Sequence, residues 1–149
     1  MIRRAVETDT PALLDLIRAF YVEDGHPYDE ARVLRALMPL LVDDTYGQVW
    51  LVCADGDPRA DGQLLGYAVL TWGWSLESGG REGLLDEIFA AQRGEGLGGQ
   101  LMEHVIGVAR EAGCRTLFLE TEAANDDARR FYARHGLVEQ DSAWMSREI

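Results

Sequence analysis

A glycine-rich stretch between a predicted strand and a predicted helix constrains the fold of this chain more than any other feature. Residues 92–99 have the sequence QRGEGLGG; an apolar run, 83–90, precedes them, and apolar residues at helical spacing follow over 101–109. Glycines leave backbone N–H groups uncovered, and the following helix adds the positive end of its dipole. The stretch therefore predicts a phosphate or pyrophosphate site, whereas the simpler alternative is a flexible turn that binds nothing.

A dinucleotide-binding turn is the competing interpretation of the same residues. Gly94, Gly96 and Gly99 match the pattern G-x-G-x-x-G, and Glu120 ends the next predicted strand, where an acid that binds ribose is expected. Three observations disfavour a dinucleotide-binding oxidoreductase. The pattern occurs past the middle of the chain, two acidic residues interrupt the strand before it, and too little chain follows to build a doubly wound sheet.

Length and composition predict one soluble domain. The chain has 149 residues, which suits a single domain over 1–149. No apolar run is long enough to cross a membrane, and the N-terminus lacks the apolar region of a signal peptide, so we expect a cytoplasmic protein. Cys53 and Cys114 are far apart and are expected to be reduced. The spacing of the His and Cys residues predicts no metal site.

The charge of the chain bears on its partners. The formal net charge is -12. Such a surface repels nucleic acid and anionic membranes, and neither is expected as a partner. It attracts a cationic acceptor such as an amine.

Apolar periodicity and turn residues predict the order β-α-α-β-β-β-α-β-α-β-β, an α+β domain with a mixed, mostly antiparallel sheet. Thr8-Asp9-Thr10-Pro11 is predicted to start the first helix, which ends near Gly25-His26-Pro27. A hairpin of strands at 48–54 and 63–72 leads to a central strand at 84–90. The strand at 115–120 follows a helical crossover and is expected to be parallel to the central strand. Residues 137–139 and 143–146 are predicted to form a last hairpin.

The pattern Arg93-x-x-Gly96-x-Gly98 resembles the acyl-CoA loop of the GCN5-related N-acetyltransferases, and the order of elements resembles the layout of that family. The resemblance implies a three-layer α/β/α fold and transfer of an acetyl group from acetyl-CoA to an amine. In this family the central strand and the next parallel strand splay apart, and the pantetheine arm enters the gap. A homodimer is compatible with the resemblance, since dimers are common in the family. A CoA-binding module without turnover is the alternative that is not an enzyme.

The cofactor residues follow from the loop and from the resemblance. Backbone N–H groups of the glycine loop are expected to hold the pyrophosphate, and Arg93 to add positive charge beside it. The resemblance assigns the donor to the thioester oxygen to a backbone N–H of the central strand. The stretch between Phe89 and Arg93 is about two residues shorter than is common in the family, so the donating amide stays open. The residues expected to contact acetyl-CoA are Ile88, Phe89, Ala90, Arg93, Gly94, Gly96, Leu97, Gly98, Gly99, Asn125 and Tyr132.

The catalytic candidates lie on the central strand and on the last helix. Asp86 and Glu87 are both candidates for the base; because neighbours on a strand face opposite sides, only one of them can face the site. In regular alternation Glu87 shares a face with Leu85 and Phe89. The sequence does not decide, and Glu87, acting directly or through water, is preferred. The pattern Asn125-x-x-Ala128-x-x-Phe131-Tyr132 resembles the closing helix of the family, which implies that Asn125 contacts the pantetheine arm and that Tyr132 protonates the leaving thiolate.

The acceptor residues are expected mainly in the segment between the first two helices, which often lines the acceptor site in this family. That segment, residues 21–30, combines acids, aromatics and one histidine, and the alternative interpretation is a solvated acidic loop. The residues expected to contact the acceptor are Glu23, Asp24, His26, Tyr28, Trp74 and Glu77.

Overall fold

Five strands and four α-helices make up the regular structure that the computed structural model describes, over residues 1–54, 63–92 and 94–149. The chain divides into two units, Met1–Leu119 and Glu120–Ile149. A short 3₁₀ helix, Glu7–Asp9, follows the first strand. The elements, in chain order, are β1 (Ile2–Arg4), α1 (Thr10–Asp24), α2 (Glu30–Val42), β2 (Gly47–Cys53), β3 (Leu64–Ser75), β4 (Gly80–Ala90), α3 (Leu97–Glu111), β5 (Thr116–Phe118) and, in the second unit, α4 (Asp126–Arg134).

The sheet has the strand order β1-β2-β3-β4-β5. The first three pairs of neighbouring strands are antiparallel, and β5 is parallel to β4. The pairing between β4 and β5 is short, running from Glu82 opposite Thr116 to Leu84 opposite Phe118. The mixed, mostly antiparallel sheet and the parallel crossover pair are thus confirmed.

The ends of the first two helices follow from their capping residues. Pro11 lies in the first turn of α1, where its missing N–H costs no helical hydrogen bond, and Gly25 ends the helix in the left-handed region with a φ of 71°. Asp29 caps α2 by accepting a hydrogen bond from the backbone N–H of Arg32 at 3.1 Å. The helix start and stop predicted for α1 are confirmed.

Helices cover both faces of the sheet in the first unit. Buried side chains of β2 and β3, such as Val49 and Val69, join those of α1 and α2 in one core cluster. Leu70, the neighbour of Val69 on β3, is also buried, and it points to the other face because side chains alternate along a strand. On that face the ring of His104 in α3 lies 4.2 Å from the ring of Trp50. This arrangement confirms the three-layer expectation for the first unit.

The last hairpin is not formed. Residues 137–149 are all described and contain no strand. The large apolar side chains after Leu137 are exposed, with Val138 at 77%, Trp144 at 75% and Met145 at 89% of full exposure. An isolated two-stranded hairpin that buries neither face has little to stabilise it in water, which is why alternating residues alone were a weak basis for that prediction.

Two further expectations concern the cysteines and the helices. Cys53 is buried, Cys114 is partly buried, and both are free thiols. None of the helices in the described ranges combines the length and apolar character that a bilayer crossing requires.

Candidate active site

A β-bulge in β4 decides which way its acidic residues face. Val69 pairs with Glu87, whereas the next residue of β3, Leu70, pairs with Leu85. Asp86 is therefore an extra residue that opposes nothing on β3. Because of the bulge, Leu85 faces α3 whereas Glu87 faces α1, so the prediction that these two residues share a face is wrong. The prediction that Glu87 and Phe89 share a face is confirmed, since they pair with Val69 and Tyr67, which both face α1.

Glu87 is held by two phenol groups. The hydroxyl of Tyr21, in α1, donates a hydrogen bond to Oε1 at 2.7 Å. The hydroxyl of Tyr67, in β3, donates to Oε2 at 2.7 Å. Tyr67 is fully buried, and Glu87 is partly buried. One carboxylate is thus fixed from a helix and from a strand at the same time.

The surroundings make Glu87 more basic than a carboxylate in water. Burial raises the pKa of Glu87, the hydrogen bonds from Tyr67 and Tyr21 oppose that shift, and the negative charge of Asp86 adds to it. Burial, followed by the contact with Glu87, raises the pKa of both tyrosines, which therefore stay protonated and act as donors. Such a carboxylate binds a proton more readily than one at the surface, which suits it to act as a base.

The end of α1 and the segment after it lie beside this carboxylate. The ring of Tyr21 lies 6.2 Å from that of His26 and 5.9 Å from that of Tyr28, edge to face. His26 Nε2 is 2.7 Å from Asp24 Oδ2. Through Tyr21, the structure therefore brings Asp24, His26 and Tyr28 together near Glu87. Glu23, next to Asp24, is an exposed residue in the last turn of α1.

Trp74 and Glu77 lie elsewhere. Trp74 is 76% exposed near the end of β3, and Glu77 follows in the turn to β4. Trp74 comes five residues after Val69, the partner of Glu87. At the rise of a strand that separation is about 17 Å along the sheet. The structure does not bring these two predicted acceptor residues together with Glu87.

The glycine loop has the geometry of an open anion cradle. Gly94 and Gly96 have φ angles of 88° and 75°, in the left-handed region, and a Cβ on either residue would meet no atom within 4 Å. Gly96 caps α3 without a side-chain hydrogen bond. The first turn of that helix, with Gly98 and Gly99, therefore presents backbone N–H groups that form no bond within the helix. Arg93 lies outside the described residues.

The direction of the β4 amides narrows the choice of an oxyanion donor. The N–H of Ala91 donates to the carbonyl of Leu65 in β3 at 2.8 Å. Amides alternate in direction along a strand, so those of Ile88 and Ala90 point to the opposite edge. Pairing with β5 ends at Leu84, before these residues are reached. Within the first unit, this edge of β4 carries two amides that the sheet does not use.

Asn125 and Tyr132 belong to the second unit. Asn125 is the N-cap of α4, and its side-chain oxygen accepts a hydrogen bond from the N–H of Ala128 at 3.1 Å. The ring of Tyr132 lies 5.3 Å from that of Phe131. Gly136, with a φ of 83°, follows the helix as expected. The cofactor contacts of Asn125 and Tyr132 stay predictions.

Sequence reasoning missed Tyr21 and Tyr67 as site residues. Tyr21 lies four residues after the buried Ile17, which places it on the core face of α1. Tyr67 lies two residues before Val69 and so shares its face. The spacing of these residues predicts which face each tyrosine is on. It does not predict that both hydroxyls bond Glu87, because that contact depends on the bulge, and the bulge has no recognisable sequence pattern.

The family model described as Acetyltransferase (GNAT) family matches residues 10–137. The chain belongs to this family. An uncharacterized N-acetyltransferase of Archaeoglobus fulgidus is 31% identical over 106 residues, which cover 66% of this chain and 72% of the relative. As a member of the GNAT family, the chain is an acetyl-CoA-dependent acyltransferase.

Two further proteins are similar to the chain. A probable glucosamine 6-phosphate N-acetyltransferase 2 of Oryza sativa subsp. japonica is 34% identical over 67 residues, 44% of this chain and 39% of that protein. The solved structure of AAC(6')-Iy in complex with a bisubstrate analog, CoA-S-monomethyl-acetylneamine, superposes with a TM-score of 0.80 at 21% identity, covering 100% of this chain and 97% of the other.

Family membership decides between the two interpretations of the glycine motif. The GNAT fold binds acetyl-CoA, and the space around Gly94 and Gly96, where a Cβ would meet no atom within 4 Å, is compatible with an anionic group before α3. The family match favours acetyl-CoA over a dinucleotide as the bound group. In the described part of the chain, no group of three or more His, Cys, Asp or Glu residues is placed to hold a metal ion.

Proposed function

We propose that this acetyltransferase moves the acetyl group directly from acetyl-CoA to a primary amine of a cationic acceptor, with Glu87 as the proton acceptor. The observation that carries the proposal is the partly buried Glu87 carboxylate, held by Tyr21 and Tyr67 beneath the acidic end of α1. Burial raises the pKa of Glu87 toward the range in which a base works near neutral pH.

Each residue of the proposed mechanism has one task. Acetyl-CoA supplies the activated acetyl group as a thioester. The first turn of α3, with the N–H groups of Leu97, Gly98 and Gly99, holds the pyrophosphate, and Gly94, Gly96 and Arg93 complete the loop. The outward amide of Ile88 or Ala90 donates to the thioester oxygen as negative charge develops there.

Proton movement falls to two side chains. Glu87 takes a proton from the acceptor ammonium, directly or through water, so that a neutral amine attacks. Tyr132 gives a proton to the departing thiolate, and Asn125 contacts the pantetheine arm; both assignments rest on the family resemblance of α4. Asp86, next to the base, contributes negative charge that favours a cation.

The cationic nature of the acceptor is inferred from charge. Asp86 lies next to Glu87 on β4, and Asp24 pairs with His26 beside the ring of Tyr21, on a chain whose formal net charge is -12. Aromatic rings of Tyr21 and Tyr28 lie among them and suit contact with a cation. AAC(6')-Iy, a structural neighbour, is complexed with an analog that joins CoA to acetylneamine.

The location and organisation of the protein are part of the proposal. Free Cys53 and Cys114 are compatible with a reducing compartment such as the cytoplasm. We treat residues 1–149 as one catalytic domain, which acts on a small molecule or peptide amine and assembles as a monomer or homodimer.

Replacement of Glu87 by Gln tests the proposed base. Removing a general base typically costs about a hundredfold to ten-thousandfold in rate. We expect Glu87→Gln to lower kcat by at least about a hundredfold while the Kd of acetyl-CoA stays unchanged, as measured by single-turnover thiol release and calorimetry.

The matched control is Glu82→Gln on the same strand. The hydroxyl of Ser78 donates to the Glu82 carboxylate, which lies on the part of β4 that pairs with β5, and a glutamine oxygen can still accept that bond. This variant should keep full activity. Equal activity of Glu87→Gln and Glu82→Gln would exclude Glu87 as the base.

A further inference from the structure

We propose that Tyr21 and Tyr67 are positioning residues that keep the Glu87 carboxylate ionised and oriented toward the acceptor amine. This inference rests on the proposed role of Glu87. Tyr21, Tyr67 and Glu87 together form what we call the tyrosine clamp. Neither tyrosine is needed as a proton donor or acceptor in the reaction itself.

The geometry of the clamp fixes the orientation of the carboxylate. The two hydroxyls bond different oxygens of Glu87, each at 2.7 Å, so rotation of the carboxylate plane breaks both bonds. Tyr67 has no exposed surface, and its ring lies 6.2 Å from that of Phe89, its partner across the strands. The β3 donor is therefore held by packing, and Glu87 is held by that donor.

The hydrogen-bond inventory fits an ionised carboxylate. A carboxylate has about four lone-pair sites and no donor. Two phenol donors use two of these sites, and the others remain for an ammonium group or a water molecule. The phenols are protonated, since burial and the neighbouring Glu87 raise the pKa of each. The clamp thus opposes the tendency of burial to keep Glu87 protonated.

Charged and titratable groups reach Glu87 from several elements. Asp86 on β4 raises the pKa of Glu87, and His26 in the segment after α1 lowers it. Tyr21 from α1 and Tyr67 from β3 lower it through their hydrogen bonds. Arg32 of α2 acts on Tyr21 with its positive charge. The two tyrosines bond the carboxylate directly.

The test compares single hydroxyl deletions. Tyr67→Phe and Tyr21→Phe keep the rings but remove one donor each. A hydrogen bond to a charged group is worth about tenfold or more in an equilibrium constant. We expect the acid limb of the kcat/KM pH profile to move to higher pH by about one unit, so that kcat/KM falls by up to about tenfold on that limb and recovers toward the wild-type value at higher pH. Tyr46→Phe is the control, since Tyr46 is 63% exposed in the turn before β2.

A titration that does not depend on activity separates the clamp from packing. Protein labelled with carboxyl-¹³C glutamate reports each glutamate by NMR, and the signal of Glu87 is the one that Glu87→Gln removes. Its midpoint should move to higher pH in Tyr21→Phe and in Tyr67→Phe, and stay in place in Tyr46→Phe. Unchanged midpoints in both clamp variants overturn the proposal, and Tyr21→Phe keeps this test available if Tyr67→Phe does not fold.

A double-variant cycle distinguishes failure of the clamp from failure of the proposed base. If the tyrosines act through Glu87, adding Tyr67→Phe to Glu87→Gln lowers kcat no further. A full additional loss would show that Tyr67 acts by packing and would overturn the clamp alone. Unchanged activity of Glu87→Gln by itself would remove the proposed base, while the ¹³C titration would still report whether the clamp holds the carboxylate ionised.

Discussion

At the scale of single residues, the central feature is a carboxylate whose ionisation is disfavoured by folding. The pKa of Glu87 is raised in the folded protein, first by burial. A raised folded pKa means that the stability linked to this group is fully present below its unfolded pKa and is lost as the pH rises through the folded pKa. The enzyme therefore gives up stability at pH values above the folded pKa of Glu87, where the proposed base is ionised.

This linkage predicts how the effect of Glu87→Gln on thermal stability changes with pH. Glutamine does not ionise, so the variant escapes the loss that Glu87 suffers as the pH rises. The difference in Tm between Glu87→Gln and the wild type should be more positive at pH 8 than at pH 4, as measured by calorimetry. A Tm difference for Glu87→Gln that is the same at both pH values would contradict the burial of an ionised Glu87.

At the scale of elements, the loop before α3 and the bulge in β4 carry the site. The loop predicts a matched pair of variants. Gly96→Asp and Gly113→Asp each place an acid at a glycine with φ near 80°, and in both cases a Cβ meets open space. They lie at opposite ends of α3. Gly96→Asp should abolish acetyl-CoA binding in calorimetry because its carboxylate takes the place of the pyrophosphate, whereas Gly113→Asp should bind normally. Normal binding by folded Gly96→Asp would remove the loop from the cofactor site.

The glycine loop could be predicted from the sequence, whereas the bulge in β4 could not. The loop and the ends of α1 were predictable because glycine and proline have backbone preferences of their own, as at Gly25 and Pro11. The bulge in β4 was not predictable, because the position of an extra residue depends on how β4 pairs with β3. Without it, Asp86 and Glu87 could not be told apart, and the regular alternation placed Leu85 on the wrong side.

At the scale of the whole molecule, the order of the elements could be predicted from the sequence, whereas contacts between distant residues could not. The order of elements through β5 and the parallel crossover to it were predictable, since hydrophobic runs and short connections leave few arrangements. The hairpin at 137–146 was not formed, because its pattern lacked a surface against which to be buried. The clamp partners of Glu87 come from residues 66 and 20 positions away in the chain, and such contacts are set only by the complete fold.

Net charge of -12 is a property of the whole molecule that acts on the acceptor before binding. A field of one sign concentrates oppositely charged molecules, and dissolved salt screens it within a Debye length of about 10 Å at 0.1 M. The acids near Glu87 add a short-range attraction that a second positive charge on the acceptor can use. An acceptor with two ammonium groups should therefore be preferred over one with a single ammonium group.

The most direct test is therefore thiol release from acetyl-CoA with a diamine and with the monoamine of the same chain length, at low and high salt. We expect kcat/KM for the diamine to exceed that for the monoamine by about tenfold or more at low ionic strength, and the advantage to shrink as salt screens the charges. Equal values for the two amines at both salt concentrations would contradict the cationic acceptor. Absence of thiol release with any amine, in a protein that binds acetyl-CoA, would contradict the proposed transfer itself.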